Sequence, residues 1–183
     1  MTGPIPGGRR RIDRVLADDF LIGVDSADLD HLRQLRHEAD QEDADLSYIR
    51  RLLQGRIDIL EAELRRREPG AEDISIVDHL AQILADDSRA TRGLGRHLNV
   101  EPSRVDEHRR DVERIVADAA ISDVDARTDA ELDAALVRLR EHEREVSTLR
   151  RQVQQVADAL TAELGRRYRE GTADISGILP TDA

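Results

Sequence analysis

Residues Asp43 to Asp58 read D-A-D-L-S-Y-I-R-R-L-L-Q-G-R-I-D, and residues Glu143 to Asp158 read E-R-E-V-S-T-L-R-R-Q-V-Q-Q-V-A-D. Both copies place an acid, a Ser, an Arg, a Gln and an Asp at the same spacing. These residues are Asp43, Ser47, Arg50, Gln54 and Asp58 in the first copy, and Glu143, Ser147, Arg150, Gln154 and Asp158 in the second. We call this arrangement of five residues the polar motif, of which the chain has two copies. On an α-helix of about 3.6 residues per turn, the five residues of a copy form one narrow stripe roughly 20 Å long.

Each copy also carries an apolar seam with helical spacing. Its members are Leu46, Ile49, Leu53, Leu60 and Leu64 in the first copy, and Val146, Leu149, Val153, Leu160 and Leu164 in the second. This spacing is typical of a helix that packs against a partner. The seam lies roughly 100° from the polar stripe around the helix. The sequence therefore predicts two packed helices that present the same row of polar side chains beside their contact.

The composition favours long helices over a large globular core. Of the 183 residues, 39% are apolar, 37% are charged and only 2% are aromatic. High charge together with Leu, Ala, Glu and Arg at helical spacing is typical of coiled coils and long helices. We therefore predict an all-α fold.

Charge and residue usage exclude several classes of protein. The net charge of −11 argues against direct DNA binding, which requires cationic side chains along the phosphates, and favours a basic protein partner. The chain has no Cys, which fits a reducing cytoplasm. Its apolar runs are shorter than a membrane span, and its N-terminus lacks the apolar region of a signal peptide. We expect a cytoplasmic protein without membrane contact.

Capping and helix-breaking residues divide the chain into five parts. Pro69 and Gly70 end the first periodic stretch, Thr128 and Glu131 form a capping-box pattern before the second, and Gly171 follows it. We predict a flexible N-terminal segment (1–25), a first long helix (26–68), a connector with short accessory helices (69–127), a second long helix (128–170) and a C-terminal tail (171–183).

The two long helices arise from an internal duplication. Identical residues favour the polar motif and the C-terminal part of the seam, where Glu63, Arg66 and Arg67 recur as Glu163, Arg166 and Arg167. A repeat kept only for packing would preserve its apolar pattern and let polar residues drift. An antiparallel pairing would bring the stripes to one level, but the long connector does not enforce it, so a parallel arrangement stays open.

The residue types of the motif suit a nucleotide. The Arg guanidinium matches phosphate or the O6/N7 edge of guanine, and a carboxylate accepts from the two N–H groups on the Watson–Crick edge of guanine. Arg51 and Arg151 follow the motif arginines. The alternative is a solvated helix face, whose charged pairs contribute only about 0.2–0.5 kcal/mol each. Two copies in identical register favour a ligand site, because a solvated face has no reason to fix Ser and Gln.

The doubled pattern E-x3-S-x2-R-x3-Q-x3-D on two long helices resembles the RsiG family, the cyclic di-GMP-responsive anti-sigma factors of actinobacteria. The run L-L-Q-G-R-I-D-I-L, from Leu52 to Leu60, is also similar to that family. The chain departs from the pattern at Asp43, where the family pattern has Glu. The shorter side chain reduces the reach of that contact.

The resemblance implies an antiparallel coiled-coil hairpin that binds two molecules of cyclic di-GMP as a partially intercalated dimer. The loaded protein would then hold a WhiG-type sporulation sigma factor away from RNA polymerase. The guanines would be read by Arg50, Arg150, Asp58 and Asp158. The remaining contacts would come from Asp43, Ser47, Gln54, Glu143, Ser147 and Gln154. From their residue type and position we add Arg51 and Arg151, alongside the stripe, to the predicted ligand-binding residues. Since one chain supplies both copies, we expect a 1:1 complex with the sigma factor.

Catalytic and metal sites find no support in the sequence. The six histidines have no catalytic or ligand spacing, and no pair of Glu-x-x-His motifs is present. We therefore predict that the protein is not an enzyme and holds no metal. The competing hypothesis is a ligand-independent coiled-coil adaptor or scaffold, which would tolerate loss of Arg50 and Arg150.

Overall fold

The computed structural model describes residues 3–68 and 124–171. These residues form three helices: α1 (Arg11–Val15), α2 (Leu29–Arg67) and α3 (Asp129–Arg169). The prediction of an all-α fold with two long helices that pack against each other is confirmed. The predicted accessory helices of the connector and the tail beyond residue 171 lie outside the described residues.

Both long helices begin at a capping residue. At α2 the carboxylate of Asp28 accepts a hydrogen bond from the backbone N–H of His31 at 2.7 Å, so the helix starts three residues after the predicted position of 26. At α3 the predicted capping box is present. The Thr128 N–H donates to the Glu131 carboxylate at 2.9 Å, and the Glu131 N–H donates to Thr128 Oγ1 at 3.3 Å.

The chain divides into two compact units, and each holds a part of α2 and a part of α3. The described residues of the first, which we call the terminal unit, are 3–46 and 147–171. Those of the second, which we call the central unit, are 47–68 and 124–146.

Within the terminal unit the long helices run antiparallel. Arg33, near the start of α2, donates to the hydroxyl of Tyr168 near the end of α3 at 2.8 Å, whereas Asp43 lies against Arg150. The buried apolar residues of this unit are Ile12, Val15, Leu32, Ala39, Leu46, Leu149, Val153, Ala157, Leu160 and Leu164. Full burial of one such Leu or Val contributes about 1.5–3 kcal/mol.

The central unit repeats the antiparallel pairing. Arg50 contacts Glu143, and Arg67 contacts Asp129 at the other end of the unit. Its buried apolar residues are Ile49, Leu53, Leu60, Leu132, Ala135, Leu136, Leu139 and Val146. The predicted seam is buried throughout except at Leu64, which is half-buried. Near this end of α2 the neighbouring Glu63 is buried instead.

An arginine at the end of each long helix binds the loop that precedes the other helix. Arg67 donates to the carbonyl oxygen of Arg127 at 2.5 Å and to that of Val124 at 2.9 Å. Arg167, its equivalent in the repeat, donates to the carbonyl oxygens of Val24, at 2.7 Å, and of Ala27. We call these two contacts the carbonyl clamps. Both arginines are present in the two copies of the repeat, but the sequence alone did not predict that they bind loop carbonyls.

The N-terminal segment is organised around the buried carboxylate of Asp13. It accepts hydrogen bonds from the backbone N–H of Ile5 at 2.8 Å and of Arg10 at 3.1 Å, and from the Arg10 guanidinium at 2.6 Å. The Arg10 side chain in particular lowers the pKa of Asp13. Next to it, Arg11 lies 3.0 Å from Asp45 of α2. The predicted flexibility of residues 1–25 stays a prediction beside this packed arrangement.

Candidate functional site

The two units divide the polar motif crosswise. The terminal unit contains Asp43 of the first copy with four residues of the second, whereas the central unit contains Glu143 of the second copy with four residues of the first. We call these groups the terminal set and the central set. The terminal set is Asp43, Ser147, Arg150, Gln154 and Asp158, and the central set is Glu143, Ser47, Arg50, Gln54 and Asp58. Each set therefore holds one residue from each of the five positions of the motif.

An ion pair joins the two copies within each set. Arg50 Nε donates to Oε1 of Glu143 at 3.0 Å in the central set, and Arg150 Nε lies 3.2 Å from Oδ1 of Asp43 in the terminal set. Because the acid precedes the Arg by seven residues in both copies, antiparallel pairing places each acid beside the other copy's Arg. The equal spacing was visible in the sequence, but the crosswise pairing depends on the helix orientation, which the residues alone left open.

The two ion pairs differ in exposure. The side chains of Arg50 and Glu143 are 36% and 20% exposed, whereas those of Arg150 and Asp43 are 23% and 11% exposed. Asp43 has one methylene fewer than Glu143, which keeps its carboxylate closer to the helix. The ion pair of the terminal set is therefore the more enclosed of the two.

The remaining predicted residues line the surfaces beside the ion pairs. Ser47 is buried and Ser147 is half-buried, both Gln side chains are half-buried, and Asp58 is less exposed than Asp158. Arg51 and Arg151 are exposed. In each set an Arg, a Gln and an Asp are thus at least partly exposed, with a further exposed Arg alongside.

A buried acid that sequence reasoning missed lies beside the terminal set. Glu42 is fully buried directly before Asp43, and its carboxylate lies 3.8 Å from the Arg11 guanidinium. The equivalent position in the second copy is His142, which is half-buried and lies 3.4 Å from Glu145. Since the two copies differ here, the repeat gave no signal for this residue.

A cavity of about 450 Å³ lies where the N-terminal segment meets α3. It is lined by Pro4, Val15, Leu16, Ala17, Asp18, Leu21, Gln152, Gln155 and Val156. Gln152 lies roughly 180° around the helix from Glu143, so the cavity is on the opposite face of α3 from the polar stripe. It is therefore separate from the predicted ligand surface.

The chemistry of each set fits recognition of a purine nucleotide. The arginine offers a planar fork of donors for phosphate or for O6 and N7 of guanine. Asp58 and Asp158 offer acceptors for the guanine Watson–Crick edge, and the Gln amides serve either partner. The cross-copy ion pairs hold the arginines in defined positions, which lowers the entropy cost of ordering them around a ligand.

The model of the RsiG-like family matches residues 18–84 and 118–181. The chain belongs to this family. The two matched regions each include one long helix and one copy of the polar motif. The RsiG-like family is of the anti-sigma factor type, regulatory rather than enzymatic, and implies a sigma factor as partner. No curated protein matches this chain.

None of the helices within 3–68 and 124–171 combines the length and apolar character needed to cross a membrane. The same residues hold no group of three His, Asp or Glu side chains suited to a metal ion.

Proposed function

We propose that this chain is an anti-sigma factor that binds a dimer of cyclic di-GMP through the two copies of the polar motif. When loaded, it sequesters a WhiG-type sporulation sigma factor from RNA polymerase in the cytoplasm. The observation that carries the proposal is the pair of equivalent sets, each with an arginine held by the other copy's acid. Membership of the RsiG-like family supports the sigma-factor partner.

The ligand, like the motif, consists of two equivalent halves. Cyclic di-GMP contains two guanines and two phosphates related by a two-fold axis, so a dimer offers four guanines. Arg50 and Arg150 would bind the O6/N7 edge of guanine, and Asp58 and Asp158 would accept from its Watson–Crick edge. The four phosphates of the dimer also require cationic side chains, which Arg51 and Arg151 add on this chain.

The charge of the chain suits a basic partner that binds DNA. With a net charge of −11, the protein is attracted to a sigma factor and disfavours DNA itself. A ligand that binds the complex better than the separate proteins strengthens the complex by the same factor. We expect a 1:1 complex, because a single chain supplies both sets.

One observation favours the alternative of a ligand-independent adaptor or scaffold. The motif arginines already contact acids of the opposite copy, so both copies would be maintained if these ion pairs served only to align the helices. Under this hypothesis the loss of the arginines weakens helix pairing only slightly, which a scaffold tolerates, and changes no ligand affinity.

Titration calorimetry of cyclic di-GMP into the full chain, with and without a WhiG-type sigma factor, separates the two hypotheses. We expect two molecules of ligand per chain, and no binding to the double variant Arg50→Ala, Arg150→Ala. A matched control is Arg56→Ala, Arg138→Ala, which removes the same charge from positions about 140° around each helix from the first motif acid. Binding that requires the sigma factor would make the ligand part of the interface. Absence of binding in both settings would favour the scaffold.

A further inference from the structure

We propose that Asp43 is a positioning residue that holds Arg150 and does not contact the ligand, whereas Glu143 holds Arg50 and also contacts the ligand. This inference rests on the proposed function and assigns different roles to two acids at equivalent positions of the motif. It follows from the packing around each acid.

The carboxylate of Asp43 is enclosed. The residue is 8% exposed, and its side chain is 11% exposed against 20% for Glu143. A ligand N–H group must approach a carboxylate oxygen to about 2.7–3.2 Å. Oδ1 of Asp43 is fully buried, and Nε of Arg150 lies 3.2 Å from it, which leaves a ligand N–H group no open approach to this oxygen.

The neighbouring acids have a cation of their own. Arg11 lies 3.0 Å from Asp45 and 3.8 Å from Glu42, on either side of Asp43 in the sequence. Arg150 therefore forms an ion pair with Asp43, whereas Arg11 forms ion pairs with Glu42 and Asp45. Either charge of an enclosed ion pair is poorly compensated without its partner. The intact pair with Asp43 therefore holds Arg150 in place before a ligand binds.

The ion pair of the central set is more exposed than that of the terminal set. The side chains of Arg50 and Glu143 are 36% and 20% exposed. Since Glu143 has one methylene more than Asp43, we expect its carboxylate to keep the ion pair through Oε1 and also to accept from the ligand. The ligand half at the central set then gains an additional acceptor. The two halves of a symmetric ligand dimer would accordingly meet unequal sites.

A double-mutant cycle on ligand affinity tests these roles. Calorimetry would use cyclic di-GMP and the full chain, with the sigma factor present throughout. We expect Asp43→Asn to weaken binding about tenfold, and to cause no further loss in the Arg150→Ala background. Glu143→Gln should weaken binding both in the wild-type and in the Arg50→Ala background, because it also removes a ligand contact.

Two controls separate positioning from general damage. Glu61→Gln removes another ion pair between the helices, with Arg140 at 2.8 Å, outside the motif, and should leave the affinity unchanged. Asp43→Glu keeps the carboxylate and should bind at least as well as the wild type. Circular dichroism of each variant verifies that the helices remain folded.

The outcomes distinguish this inference from the proposed function. Additive losses for Asp43→Asn and Arg150→Ala would mean that Asp43 contacts the ligand directly, and would overturn the inference alone. An unchanged affinity of Asp43→Asn would do the same. A flat titration of the wild-type complex would overturn the proposed function and the inference with it.

Discussion

The Nε atom of Arg50 donates to Oε1 of Glu143 at 3.0 Å, although these residues belong to different copies of the polar motif. Each copy thus supplies the acid for the other copy's arginine. Under the proposed function this ion pair contributes both to ligand binding and to helix pairing, and an exchange of the two charges separates these effects.

The charge exchange Arg50→Glu, Glu143→Arg should restore helix pairing without restoring ligand binding. We expect Arg50→Ala to lower the free energy of unfolding by about 0.5–1 kcal/mol, since the pair is partly exposed and screened by solvent. The exchanged variant should recover most of this loss in urea denaturation. It should bind cyclic di-GMP no better than Arg50→Ala, because the guanidinium has left its place. Recovery of both properties would contradict a ligand role for Arg50.

The carbonyl clamps should contribute strongly to stability. Arg67→Ala and Arg167→Ala each remove charged hydrogen bonds to loop carbonyls, and each should cost about 2 kcal/mol in the free energy of unfolding. Lys should rescue poorly because it lacks the planar fork that reaches two carbonyls. The exposed Arg169→Ala is the control, with an expected change within about 0.5 kcal/mol. Equal effects at positions 167 and 169 would argue against the clamp.

Stability should fall in acid through Glu163. Hydrogen bonds from Arg166 and then Arg167 lower the pKa of Glu163 to about 2. The unfolded chain, with a Glu pKa of about 4.3, therefore binds this proton first as the pH falls. The stabilisation is present above about pH 4.3 and is lost towards pH 2. Glu163→Gln should flatten the pH dependence of the free energy of unfolding in this window. An unaltered acid profile would exclude this ion pair as a source of the pH dependence.

The substitution Asp13→Ala should break the hydrogen bonds that organise the N-terminal segment. Asp13→Ala removes the acceptor for the Ile5 and Arg10 N–H groups. We expect the amides of residues 5 and 10 to exchange hydrogen with solvent at least about tenfold faster, since each loses a hydrogen bond of about 1.5–3 kcal/mol to a charged acceptor. Asp19→Ala, at an exposed position, is the matched control. Fast exchange of these amides in the wild type would support the predicted flexibility of residues 1–25.

The complex with a sigma factor should contain one copy of each protein. Both sets of motif residues come from a single chain, so a second copy is not needed to complete the site. Light scattering of the loaded complex should give the summed mass of the two chains. A stable 2:2 assembly would contradict this stoichiometry.

The sequence was most informative where the repeat and the helical period coincide. Leu46, Ile49 and Leu53 are buried as predicted. An apolar stripe on one face of a helix is removed from water when that face packs against a partner, so the helical period identifies the buried residues. The capping box at Thr128 and Glu131 was equally predictable, since it depends on neighbours in the chain.

Contacts between distant residues were not predictable in the same way. The pairing of Arg150 with Asp43 depends on the antiparallel orientation, for which the residues alone left a parallel alternative. The burial of Glu42 depends on the N-terminal segment, where Arg11 approaches it. The carbonyl clamps use backbone acceptors, which carry no residue identity and therefore leave no sequence pattern on the loop.

Because of the crosswise ion pairs, a substitution in one copy of the motif affects the other copy. A duplicated gene normally lets one copy change while the other keeps the original role. Here a change at position 43 alters the surroundings of Arg150, and a change at position 143 alters those of Arg50. Compensating substitutions should accordingly link position 43 with 150 and position 50 with 143, rather than the positions that the repeat aligns. We therefore expect the two copies to evolve together rather than independently.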